Sequence, residues 1–215
     1  MDRKIEKITL ERSEDQMQQA LEKYKEKALE LGATKAAILD VNDIVVEERV
    51  TLKCQIPRCF GYGTSAHCPP NTLKPNELRE ILKEYRRAVF FIKDVPSEVI
   101  VRDRATITER IRAYQDVFDI VNKVESIAFY DGNYTAFGFA AGSCLSTLCS
   151  QEKSCRALDG ERCRFSLKAR PSMEAVGMDV YKMVASQGWE IYPIGSDAKP
   201  EDIPKGTLAG IVIVN

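Results

Sequence analysis

The sequence predicts an α/β chain, a layered sheet flanked by helices, with two cysteine-rich loops. Three observations predict it. Segments with apolar residues at helical spacing alternate along the whole chain with short β-branched and aromatic runs, which favours layering over a bundle or a sandwich. The chain has 215 residues, 44% hydrophobic and 29% charged, enough to bury a sizeable core without disulfides. All seven cysteines fall within two stretches, 53–75 and 142–170, and no repeat, low-complexity tract or linker divides the chain. Residues 1–215 therefore read as a single α/β domain.

Ser13-Glu-Asp-Gln16 has the form of a capping box. Met17, Ala20, Leu21, Tyr24, Ala28 and Leu31 follow at helical spacing, and Gly32 is a stop. Ala36 to Val41 and Ile44 to Val50 read as strands around a Val-Asn-Asp turn. The first cysteine loop runs from Lys53 to Pro75. Asn76 to Arg87 reads as a helix, Ala88 to Val95 as a buried strand, and Glu98 to Ala128 as one long helix. Tyr134 to Ala141 is strand-like, and the second cysteine loop covers Gly142 to Arg170. Ser172 is placed to cap a helix ending near Gln187, with Gly188 as its stop. Trp189 to Pro193 and Leu208 to Val214 read as short strands. The cysteine loops thus sit at strand ends, where α/β sheets often place their sites.

Charge and composition narrow the function classes. Lys and Arg number 31 against 32 Asp and Glu, a net charge of −1, which disfavours a general electrostatic grip on nucleic acid or an anionic membrane. The stretch from Gly132 to Gln151 lacks charge but carries three glycines and many Ser, Thr and Asn residues, so it is a poor membrane span. The charged N-terminus lacks the apolar stretch of a secretory signal, and the expected location is cytoplasmic. Thiols stay reduced there, so clustered cysteines point to metal or redox chemistry. His67 is the single histidine, which excludes a multi-histidine zinc site within one chain.

Cys144, Cys149, Cys155 and Cys163 are spaced x4, x5 and x7. Thiolate is a soft ligand that suits zinc or an iron–sulfur cluster. Neither paired C-x2-C knuckles nor the tight bacterial ferredoxin run is present, and the wide gaps favour a [4Fe–4S] cluster over zinc. Between Gln151 and Arg170, six basic residues stand against three acidic ones, a surplus that would offset the negative charge of a thiolate cluster. A solvated basic loop or an anionic partner accounts for the same residues.

Cys54, Cys59 and Cys68, spaced x4 and x8 and followed by Pro69-Pro70, form a second metal site or a reactive thiol pocket. Three thiolates with His67 could hold zinc, although adjacent residues seldom chelate one tetrahedral ion. Three thiolates alone could hold a cluster with one open iron acting as a Lewis acid. A cysteine from one loop could also complete the other's site. Buried small side chains in a tight loop are the plain structural alternative, and a Cys68–His67 nucleophile pair is a further one. Gly61-Tyr-Gly63-Thr-Ser-Ala66 matches a loose dinucleotide fingerprint, but His-Cys-Pro-Pro follows where a helix should begin.

Cys-x4-Cys-x8-Cys-Pro-Pro, Gly142-Ser-Cys144, Cys163-Arg164-Phe165 and the segment from Ala169 to Val180 together resemble DUF2284, a family of predicted metal-binding, cysteine-rich proteins of anaerobes. The resemblance covers roughly Lys53 to Ile194. It implies metal binding, with Cys54, Cys59, Cys68, Cys144, Cys155 and Cys163 as ligands, and leaves Cys149 outside the pattern. The combined expectation is a cytoplasmic [4Fe–4S] protein of electron transfer or reductive chemistry, working with a redox partner protein and with neither nucleic acid nor membrane. A zinc-stapled, non-enzymatic interaction module is the alternative.

Overall fold

A computed structural model describes residues 7–9, 12–101 and 107–215. Two hydrophobic runs build its centre. Strand β2, Arg87–Val95, and strand β4, Gly206–Val214, pair antiparallel from Arg87↔Val214 to Val95↔Gly206. Both are buried on both faces, which is why they read as continuous apolar runs rather than as alternating ones. Strand β1, Lys35–Asp40, pairs antiparallel with β2 on one side, and the short β3, Phe137–Phe139, pairs antiparallel with β4 on the other. The sheet is four-stranded in the order β1-β2-β4-β3.

Helices cover both faces, so the α/β layering expected from the sequence is present. Helix α1, Glu14–Glu30, starts at the capping box: Gln16 N–H donates to Ser13 Oγ at 3.2 Å, and Ser13 N–H to Gln16 Oε1 at 3.0 Å. It packs with the long α5, Ile107–Tyr130, on the face reached by Val89, Phe91, Leu208 and Val212. The opposite face, reached by Phe90, Ile92, Ile211 and Ile213, packs against α3, Pro75–Leu82, and α7, Val180–Ser186. Consecutive strand residues therefore feed two separate cores, as the two-residue period of a strand requires. Helices α2, Glu48–Gln55, α4, Ser97–Ile100, and α6, Cys144–Leu148, are short and stand near the cysteine loops.

Two glycines let α5 lie close on the sheet. A Cβ on Gly138 would come within 2.2 Å of Val121 Cγ1, and one on Gly210 within 2.5 Å of Phe91 Cζ and 2.9 Å of Val121 Cγ2. The two strands thus form a shallow seat for Val121, which is fully buried.

Several expected boundaries are corrected. Residues 44–50 are not a strand: a 3₁₀ turn at Val41–Asp43 precedes them, a single bridge joins Val46 to Met178, and α2 begins at Glu48. The first cysteine loop therefore begins inside α2, at Cys54. Residues 189–193 form no strand. Trp189 N–H donates to Val184 O at 3.2 Å in the turn that ends α7, and its ring stacks on Phe90 at 5.7 Å between centroids, with no strand pairing. The helix expected from Glu98 to Ala128 is α4 followed by α5, with 102–106 outside the described residues. Ser172 caps no α-helix: it precedes a 3₁₀ turn, Glu174–Val176, whose N-cap is Met173, and its Oγ accepts from Ala175 N–H at 3.1 Å. Asp179 is the N-cap of α7, accepting from Lys182 N–H at 3.0 Å.

Candidate metal centre

The first loop is built from consecutive turns. Cys59 N–H donates to Cys54 O at 3.0 Å, Tyr62 N–H to Cys59 O at 3.0 Å, and Asn71 N–H to Cys68 O at 2.9 Å. Gly61 N–H points at Cys59 Sγ at 3.5 Å, a backbone donor aimed at sulfur. Cys54 and Cys59 are half-buried and Cys68 is buried. The second loop begins at Gly142, whose φ of +68° and approach to the Tyr114 ring both exclude a Cβ: one placed there would lie 2.7 Å from Tyr114 Cε1. Cys144 then opens α6 and is buried, and Cys149 follows as its C-cap, half-buried. Residues 150–168 carry turns and bends but no helix or strand, with Cys155 and Cys163 half-buried among them.

All seven thiols are free, and they are electrostatic neighbours in one connected series. Burial, then Cys59, Cys68 and Glu174, push the Cys54 thiol up to about 11. Burial pushes Cys144 up to about 12 against the opposing influence of Ser65, with Cys68, Cys155 and Cys163 adding to the rise. Cys149 is raised by burial and then by Cys163, while Arg164 opposes the shift. The two loops therefore meet through Cys68 and Cys144, the two most buried of the cysteines. Among the described residues, no three His, Cys, Asp or Glu side chains stand close enough together to hold a metal ion. The thiols are gathered as neighbours and not as a closed coordination sphere.

The surroundings supply donors without acceptors. Among the described residues, the buried side-chain polar atoms lacking a hydrogen-bond partner are Ser65 Oγ, Ser143 Oγ and Arg110 Nη1. Ser65 lies against Cys144 without an aligned hydrogen bond. Ser143 and Cys68 flank Gly61: a Cβ there would lie 3.4 Å from Cys68 Sγ and 3.5 Å from Ser143 Cβ. Ser143 and Arg110 line a cavity of ≈ 710 Å³ together with Cys54, Cys59 and Cys68. A buried polar group left unpaired costs about 1–3 kcal/mol, so the two at this cavity, with Ser65 beside Cys144, mark a place where an acceptor is expected. Thiolate and inorganic sulfide are such acceptors, and the soft donor set itself suits zinc or iron. The chemistry of the donor set fits a thiolate-held metal, while the thiols as placed are neighbours and not yet a coordination sphere.

The expected basic surplus is largely spent within the protein. Arg156 pairs with Glu161, Arg164 with Glu152 at 3.0 Å, Lys168 with Asp119, and Arg170 with Glu125. These pairs tie the loop to itself and to α5. Arg170 is the firmest tie. Its Nε donates to Glu125 Oε2 at 2.8 Å, the same oxygen accepts from Gly138 N–H at 2.8 Å, and both side chains are nearly buried. His67 is half-buried, and burial followed by the charge of Arg170 lowers its pKa, which keeps the imidazole neutral. It makes no hydrogen bond to Cys68 among the described residues, so a Cys68–His67 nucleophile pair has no geometric support.

Sequence reasoning missed Arg110, Ser65, Ser143 and Glu174. Glu174 lines an adjoining cleft of ≈ 720 Å³, which shares Ile100, Tyr114 and Gly142 with the cysteine cavity. Its side chain is exposed to the cleft, and desolvation by the surrounding protein raises its pKa against hydrogen bonds from its own backbone and Ser172. Nothing in the spacing of these residues distinguishes them from ordinary loop and helix-surface positions.

The fold is an α/β scaffold whose two cysteine loops meet beside a cavity lined by the unpaired Ser143 and Arg110 atoms. The family model described as predicted metal-binding protein, DUF2284, matches residues 37–214, and the chain belongs to that family. The match takes in every cysteine. No curated protein and no solved structure matches the chain. Among the described residues, no helix is long and apolar enough to cross a membrane.

Proposed function

We propose that the protein binds a [4Fe–4S] cluster and serves electron transfer or reductive chemistry. Cys144, Cys149, Cys155 and Cys163 are the proposed cluster ligands, and Cys54, Cys59 and Cys68 form a second metal position beside them. The observation that carries the reading is the meeting of Cys68 and Cys144, buried thiols from separate loops, with Cys68 adding to the rise that burial imposes on the Cys144 thiol. Gathered thiols hold their protons against mutual repulsion, and a cation removes that repulsion by replacing the protons. The proximity of Cys68 to Cys144 also supports the variant in which a cysteine of the first loop completes the site of the second. When bound, a cluster supplies one-electron redox chemistry at a potential set by its surroundings. The chain's own part is to exclude water with the buried Cys68 and Cys144, to donate from Gly61 N–H to Cys59 sulfur, to offer the unpaired hydroxyls of Ser65 and Ser143 to sulfur on binding, and to anchor the end of the loop through Arg170. The protein is proposed to work in the cytoplasm with a redox partner protein.

The test is metal and sulfide analysis of protein purified without oxygen. The expected material is brown, absorbs near ~400 nm and releases acid-labile sulfide in proportion to iron. Cys144→Ser should bleach that absorbance and abolish reversible reduction. Colourless protein with stoichiometric zinc and no sulfide would establish the zinc-stapled module in its place. Protein holding neither metal would end the metal reading.

A further inference from the structure

The cavity beside the cysteines has a composition that metal binding alone does not explain. Three thiols form one part of its wall, and Phe60, Ile100, Ile107 and Ile111 form an apolar part. Among the described residues lining it, Arg110 is the single charged side chain, and no carboxylate is present. Arg110 is on the first turn of α5, and its Nη1 is buried without a hydrogen-bond partner. Among the described residues it enters no ion pair, although every other arginine of the neighbouring second loop except Arg162 is paired with a carboxylate. The nearby acid, Glu174, lines the adjoining cleft rather than this cavity. A space of ≈ 710 Å³ lies within the range that takes a small organic molecule.

We propose that this cavity is the substrate site, and that it takes a small organic acid whose carboxylate pairs with Arg110 while its apolar body lies along Phe60, Ile107 and Ile111. A guanidinium matches a carboxylate with two parallel N–H donors, which satisfies the unpartnered nitrogen and fixes the ligand's orientation. The apolar wall selects against a bare inorganic anion, because such an ion would leave that wall wet. The single positive charge selects against neutral molecules of the same shape. As a substrate site beside a metal, the inference rests on the metal-centre reading; as a binding site, it stands without it.

The experiment is calorimetric titration of the full chain, purified without oxygen, with hexanoate and benzoate. Hexanamide, benzamide and inorganic phosphate serve as controls, and metal content is measured on every sample. Both carboxylates should bind at least about tenfold more tightly than their amides. Arg110→Gln should weaken carboxylate binding about tenfold to hundredfold with unchanged metal content, and Arg110→Lys should fall between the two. Circular dichroism on both variants separates lost binding from lost folding, and the lysine variant carries the test if the glutamine one does not fold. Equal affinity for amide and carboxylate, or for phosphate and carboxylate, would overturn the inference. So would loss of metal from Arg110→Gln with carboxylate affinity intact, which would assign the guanidinium to the thiolates instead. Carboxylate binding by wild-type protein that holds no metal would keep the binding site and refute the metal reading.

Discussion

Glu174 shows how a single side chain in this structure can be unlike its place in the sequence. In Met-Glu-Ala-Val-Gly it stands as an ordinary acid, yet it lines the cleft and desolvation by the surrounding protein raises its pKa. The folded state therefore holds the proton that the unfolded state releases near pH 4.3. Stability from this group is complete below that value and is lost as pH rises through the folded pKa, because the folded form binds more protons there. Glu174→Gln should leave the urea midpoint at pH 4 close to wild type and raise it at pH 7. A difference of equal size at both pH values would show that the carboxyl is not desolvated. The cysteines, by contrast, were legible residue by residue, because thiol clusters are rare enough for spacing alone to signal chemistry. Ser65, Ser143 and Arg110 were not, because their burial arises only once two loops and a helix have packed together.

The elements with the plainest hydrophobic pattern are those the sequence located best. Strands β2 and β4 and the capped start of α1 lie close to where their residues predict. The misreadings share a physical cause, since apolar patterning reports burial and not backbone pairing. Val45 and Val46 pack beside a core, yet the chain turns into α2 at Glu48, where Arg79 donates to both Val46 O and the Glu48 carboxylate. Trp189 likewise stacks its ring on Phe90 and pairs in no strand. At this scale the Arg170–Glu125 pair joins the end of the second cysteine loop to α5 and, through Gly138 N–H, to β3. Removing one member of a buried pair typically costs about 3–5 kcal/mol, because the other charge is left uncompensated. Arg170→Met should therefore lower the thermal midpoint by roughly 6–15 °C, measured by circular dichroism on the metal-free chain. Pairing it with Glu125→Leu should recover most of the loss. A shift of under about 1 °C for Arg170→Met would mean that the pair is solvated.

Across the whole molecule, stability and chemistry are housed in different parts. The sheet has a hydrophobic core on each face, while 142–170 consists of one short helix and a run of turns held by ion pairs. If a metal staples that loop, chelation should loosen it and leave the sheet intact. Hydrogen exchange should then rise by about tenfold or more at 150–168 on metal removal, with β2 and β4 still protected. Uniform deprotection would instead make the metal part of the core's own stability, and no change would show that the loop needs no metal.

Strand β4 lies between β2 and β3 in the sheet although it follows both in the chain. During synthesis, then, all seven sulfurs emerge from the ribosome before the central strand of their scaffold exists. For that interval the nascent thiols are exposed to oxidants and adventitious metals. If these cysteines hold a metal, an ion that arrives before residues 206–214 close the sheet meets a scaffold that lacks its central strand.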